Sequence, residues 1–201
     1  NMRRTVVVGA MLCGLAAGEL AADAKLAGLL EKMHKVTSAE GQPILAEILK
    51  LGPPGIRELC GMLLPPGKGD DAKAHYALHG LALYVVRPGA DNERKMLVTV
   101  LIEALQATQD KDVKGFLIRQ LQLAGKDDAV ETLSGYLADP QLCDPAAQAL
   151  TQIATPAATE ALLKALSAAQ DAARVTLIKA MGVLRAKAAV PALLKDASGD
   201  D

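Results

Sequence analysis

Residues 118–133 lie over residues 178–193 at a constant offset of 60 without a gap, pairing Ile118 with Ile178, Leu121 with Met181, Val130 with Val190 and Leu133 with Leu193. A chain that repeats itself at a fixed interval builds its core by stacking like units, each too small to bury its own apolar face. The offset divides into two units of about 30 residues, and an intervening copy is present.

Two classes of segment alternate. The first ends in spaced leucines: GIRELCGML (55–63), LVTVLIEAL (97–105), AVETLSGYL (129–137), ATEALLKAL (158–166) and AVPALLKDA (189–197). Leu59, Leu101, Leu133, Leu162 and Leu193 fall in register, and Leu63, Leu105, Leu137, Leu166 and Ala197 follow four residues later. Spacing of three and four places these on one helical face, and we term these the A segments. The second class, the B segments, comprises ALHGLALY (77–84), LIRQLQLA (117–124), AAQALTQI (146–153) and LIKAMGVL (177–184). Leu81, Leu121, Leu150 and Met181 align there, as do Leu78, Ile118, Ala147 and Ile178. Asp71, Asp112, Asp144 and Asp171 stand at or near the starts of the B segments, where a carboxylate can accept from unpaired backbone N–H groups and complement the helix dipole.

The A register advances by 42, 32, 29 and 31 residues. The helix-breaking stretch Arg87-Pro88-Gly89-Ala90-Asp91-Asn92 accounts for the long first step. Upstream, helices over about 25–36 and 43–51 form an irregular pair closed by Gly52-Pro53-Pro54-Gly55. Aromatic residues make up only 2% of the chain, so Ala and Leu must carry the core. Both are strong helix formers, which makes the expected class all-α.

The Leu-x3-Leu of the A segments, the Asp opening the B segments and their Ala/Leu-rich composition resemble the HEAT-repeat family, in its bacterial form with short units. The match covers roughly residues 43–197. The resemblance implies a right-handed α-solenoid of stacked antiparallel helix pairs. It also implies one repeat domain over 25–201, with an irregular pair at 25–52, regular repeats over about 53–197 and an incomplete last repeat. A stack stopping after an A helix exposes an apolar edge; either the chain is part of a longer solenoid, or another chain or a second copy caps that edge.

The N-terminal stretch has the layout of a secretory signal: Arg3 and Arg4, an uncharged run from Thr5 to Ala17, and Ala22-Asp23-Ala24 as an A-x-A cleavage site before Lys25. Cleavage after Ala24 would leave a periplasmic or secreted protein with no membrane insertion. The apolar run is shorter than the roughly 20 residues a spanning helix needs. Two other readings stay open: a lipid or uncleaved anchor, although Leu12 before Cys13 is a poor lipobox residue, and a first structural helix. Cys60 and Cys143 remain in either case, with no C-x-x-C pair. Two repeats of separation predict no bridge between them, and the turn position of Cys143 predicts that it is the more reactive thiol.

Sequence gives catalysis little support. There is no phosphate loop, nucleophile elbow or H-E-x-x-H motif. His75 and His79 have a chelating i, i+4 spacing but no third ligand in the segment, so no metal and no cofactor is expected. Cys60 sits among Leu59, Met62 and Leu63 and reads as a small hydrophobe. Asp70-Asp71 and Asp127-Asp128 read as solvated turns or helix starts without EF-hand spacing. A net charge of −1 with no basic block beyond Arg4 argues against nucleic acid.

In HEAT-like proteins the B helices generally line the concave side. The resemblance therefore implies a ladder of polar side chains, His79, Arg119, Gln148 and Lys179, facing a protein partner; the bland alternative makes them ordinary solvated positions. The expected function is an exported, non-catalytic binding or scaffold module. HEAT-like proteins also include bilin lyases or chromophore chaperones and DNA glycosylases. A pigment pocket would want more aromatic residues, and a glycosylase would want a basic concave face.

Overall fold

The structure is a computed structural model that describes residues 24–33, 38–186 and the single positions 190 and 194. Every regular element among these residues is an α-helix, so the all-α expectation holds. The proposed signal segment lies outside the described residues except for Ala24, which is helical. Of the last A segment only Val190 and Leu194 are described, both helical and exposed. The chain divides into two compact units, Asn1–Tyr84 and Val85–Asp201, with the boundary just before Arg87-Pro88-Gly89.

The first unit contains α1 (24–33), α2 (Ser38–Leu49), α3 (Gly52–Gly61) and α4 (Ala72–Tyr84). Leu26, Leu30, Met33, Leu45, Ile48, Ile56, Leu59, Leu78 and Leu81 form its buried interior. The α4 backbone approaches closely because Gly80 has no side chain: a Cβ there would lie 3.1 Å from a Leu45 methyl and 3.3 Å from Met33 Cε. Ion pairs tie the rim, Lys25 to Glu47 at 3.6 Å and Lys73 to Glu31.

Two details of this unit differ from the sequence reading. Pro43 does not open a helix; it is the sixth residue of α2, past the first turn where proline is free of cost. Burial of Leu45, Ile48 and Leu49 on that helix offsets the lost hydrogen bond, at about 1.5–3 kcal/mol for each such side chain. Gly52-Pro53-Pro54 does not merely close the pair. Gly52 adopts φ +69° and turns the chain, and the prolines then occupy the first turn of α3, where missing N–H groups cost nothing.

The second unit contains α5 (Asp91–Ala107), α6 (Lys111–Ala124), α7 (Asp127–Ser134), α8 (Cys143–Ile153), α9 (Pro156–Ala168) and α10 (Asp171–Leu184). The A segments fall on α5, α7 and α9, and the B segments on α6, α8 and α10. Packing follows two rows: α5 touches α7 and α7 touches α9, while α6 touches α8 and α8 touches α10. The rows join through α5 with α6, α7 with α8, and α9 with α10. Leu101, Leu133, Leu162, Leu121, Leu150 and Met181, the central register positions, are all at most 1% exposed.

The long first register step has a second source. Besides residues 85–90, the α3–α4 connection is long and contains Gly67 at φ +77°, whereas α9 and α10 are joined by Ala169 and Gln170 alone. The caps also shift by a residue or two from their expected places. Asp112 lies inside the first turn of α6, and Asp110 is the cap, accepting from the N–H groups of Asp112 and Val113. At α4, Asp70 accepts from Ala72 N–H, while the Asp71 carboxylate accepts from Leu64 N–H and contacts His75 Nε2 at 3.0 Å.

Candidate partner-binding surfaces

The register that buries Leu121, Leu150 and Met181 turns the position two residues earlier outward. Arg119 on α6, Gln148 on α8 and Lys179 on α10 are all exposed, on helices that pack consecutively. The structure thus brings these three to one row of helices. His79 is likewise exposed but belongs to α4 of the first unit. Gln148 Nε2 donates to Asp144 Oδ2 one turn earlier, at 2.8 Å. The Arg119 and Lys179 side chains make no hydrogen bond or ion pair with another described residue. Two cationic heads therefore flank a neutral amide. The row can donate hydrogen bonds to a polar or acidic surface.

A second surface escaped the sequence reading. A groove of about 990 Å³ opens in the second unit, walled by α7, the 135–142 connection, α9 and the first turns of α8 and α10. None of His79, Arg119, Gln148 and Lys179 lines it. Ala157, Ala161, Ala165 and Ala168 recur at helical spacing along α9 and face the groove, so the floor is a stripe of methyl groups. The short α7 helps to shape it: α7 spans 8 residues against 13 for α9, and the chain then runs through turns to Leu142. Around the floor stand Glu131, Asp144, Glu160 and Asp171, opposed among the lining side chains by Lys164, with the Arg174 guanidinium adjacent and bonded to the Ala169 carbonyl.

The rim follows from the repeat itself. Glu131 and Glu160 occupy the same A register, two residues before Leu133 and Leu162. Asp144 and Asp171 are the B-segment aspartates, in the first turns of their helices. Their charges offset the positive ends of α8 and α10, about half an elementary charge each. Glu131 and Glu160 have no such compensation. The alanine run of 157–173 was the signal in the sequence, but alanine reads equally as close helix packing; only the register of both helices together shows that it lines a gap.

Neither thiol supplies chemistry to these surfaces. Both cysteines are free, and both are buried. The exposed turn position expected of Cys143 is not found: it is the first residue of α8, 3% exposed against 8% for Cys60, although it stands in the lining of the groove. Its turn location in the sequence is enclosed by Leu142 and Ala146, themselves buried. Burial pushes the Cys60 thiol up to about 12. Burial also raises Cys143, helped by the Asp144 and Asp139 carboxylates. A thiol held protonated is a poor nucleophile. Among the described residues no group of three or more His, Cys, Asp or Glu side chains is placed to hold a metal ion, and no helix is long and apolar enough to cross a membrane.

No protein-family model, curated protein or solved structure matches this chain.

Proposed function

We propose that this protein is a non-catalytic partner-binding or scaffold module of the HEAT-repeat type, its second unit a short right-handed α-solenoid. The observation carrying this reading is the double row of helices, α5–α7–α9 and α6–α8–α10. Each added helix pair extends both rows, so one polar register position is offered repeatedly to solvent. Stacked repeats present extended surfaces of this kind, suited to gripping another macromolecule. Burial holds both thiols in the protonated form, which favours binding over thiol catalysis.

The partner is a protein whose contacting surface is polar or acidic, met by the B row. The protein acts outside the cytoplasm, with the segment through Ala24 removed as a signal; material from native cells should then begin at Lys25. The test is capture of partners from the native envelope fraction by the mature chain. The variant His79→Glu/Arg119→Glu/Lys179→Glu should lose capture with unchanged helical circular dichroism, because all three side chains are exposed. Undiminished capture by that variant would remove the ladder from the mechanism.

A further inference from the structure

The groove beside α9 points to a second docking site, and we infer that it receives a short basic amphipathic helix supplied by a partner protein. This deepens the binding-module reading and rests on it. Three properties of the groove select that occupant.

The first is charge. Four carboxylates and one ammonium rim the groove. Among the described residues Glu131, Glu160 and Asp171 carry no cationic partner, and the fourth, Asp144, accepts only from a neutral amide. Lysine or arginine at the flanks of an incoming segment would neutralise this rim. An acidic segment would be repelled.

The second is hydrogen bonding. Most of the wall is helix side and turn, which offers no strand edge on which an extended peptide could lay its own N–H and C=O groups; the first turn of α10 presents backbone N–H groups without a side-chain cap. A helix satisfies its backbone internally and asks of the groove only an apolar floor. The methyl stripe of Ala157, Ala161 and Ala165 supplies one, and its small side chains allow close approach.

The third is size. A helix about 10 Å across rises about 5.4 Å per turn, or on the order of 400 Å³ per turn. A groove of about 990 Å³, open along one side, is therefore on the scale of a few helical turns with part of the helix girth left outside it. That is a short recognition helix with two or three small apolar anchors between basic flanks.

The direct probe is a fluorescein-labelled 17-residue Lys/Ala/Leu amphipathic peptide, titrated against the full chain by fluorescence anisotropy. A peptide with Glu replacing every Lys serves as its control. We expect saturable binding of the basic peptide only, weakening at least tenfold when salt rises from about 50 to about 300 mM, as exposed charge pairs are screened. Glu131→Gln/Glu160→Gln/Asp171→Asn should weaken it tenfold or more. All three side chains are exposed, and asparagine tolerates the φ of +48° at position 171. Ala161→Met, which fills the floor while keeping every charge, should do the same; Arg119→Gln/Lys179→Gln should not. Absence of saturable binding, equal binding of the acidic peptide, or full affinity in both groove variants would each overturn the site. Capture from the envelope fraction separates the two levels. Full capture by the groove variants alongside loss in the ladder variant overturns the groove and spares the binding-module reading. Failure of the unaltered chain to capture any protein counts against that reading.

Discussion

Arg94 and Asp128 depend on each other unequally. The Arg94 side chain on α5 is 5% exposed, donating from Nη2 to Asp128 Oδ2 at 2.8 Å and from Nη1 to the Ala124 carbonyl at 3.2 Å, while the Asp128 side chain is 35% exposed. Its Nε has no hydrogen-bond partner. Burial pushes the Asp128 carboxyl up, but the Arg94 hydrogen bond and the Lys126 N–H outweigh it and hold the group below its ordinary range. Asp128→Ala leaves a buried cation with only the exposed Asp91 carboxylate, 3.9 Å from its Nε, as counter-charge, whereas Arg94→Met leaves a carboxylate that water can reach. Urea unfolding should therefore show the aspartate variant as the weaker protein, losing about 3 kcal/mol against about 1 kcal/mol for the methionine variant. Equal losses would mean that solvent reaches the guanidinium. Cys60 supplies the alkaline counterpart. Its folded pKa of about 12 stands above the ordinary 9.0, so the stability it contributes is whole below pH 9.0 and is lost as pH rises towards 12. By about pH 10.5 the unaltered chain should have lost about 2 kcal/mol more than Cys60→Ala, relative to neutral pH. Parallel pH profiles for the two proteins would show that the thiol meets water.

Helix ends fix how one element hands the chain to the next. Asp110 satisfies two first-turn N–H groups of α6, so Asp110→Ala should cost about 1 kcal/mol in a urea titration, with Asp110→Asn close to neutral. The α6–α7 joint has less tolerance. A Cβ at Gly125 would lie 2.5 Å from the Leu121 carbonyl oxygen and 2.9 Å from Ala129 Cβ, and the first of these atoms is backbone that cannot swing aside. Gly125→Ala should destabilise the second unit by about 1–3 kcal/mol, whereas Gly80→Ala, which meets only flexible side-chain ends, should cost less. A neutral Gly125→Ala would require the joint to be looser than drawn. The sequence register placed Asp112 at or near the start of α6. It could not assign the cap of α6 to Asp110 over Asp112, because the choice depends on where the helix takes up its first hydrogen bond.

At the scale of the whole molecule, each unit has its own buried interior, and the boundary between Tyr84 and Val85 cuts through no helix. In the second unit Leu97, Leu101, Leu105, Leu117, Ile118, Leu121, Leu133 and Leu150 are each at most 1% exposed. A fragment spanning 85–201 should therefore fold alone, with helical circular dichroism and a single cooperative urea transition. A broad, non-cooperative loss of helicity would show that its core is incomplete without residues before Val85.

What the sequence determined by itself was the class and, over the described residues, the register. Leu59, Leu101, Leu133 and Leu162 are all fully buried because a repeat spacing of three and four leaves a helix only one face to hide. It also determined that Arg119, Gln148 and Lys179 point outward, since they sit two residues from a buried position. Tertiary structure decided what a one-dimensional pattern does not contain. Cys143 reads as a turn residue yet is enclosed, because Leu142 and Ala146 on either side of it turn inward together. The groove arises where an alanine face of α9 meets the short α7 and the turns after it. A gap is a property of two surfaces and the distance between them, and a sequence specifies each surface without the distance.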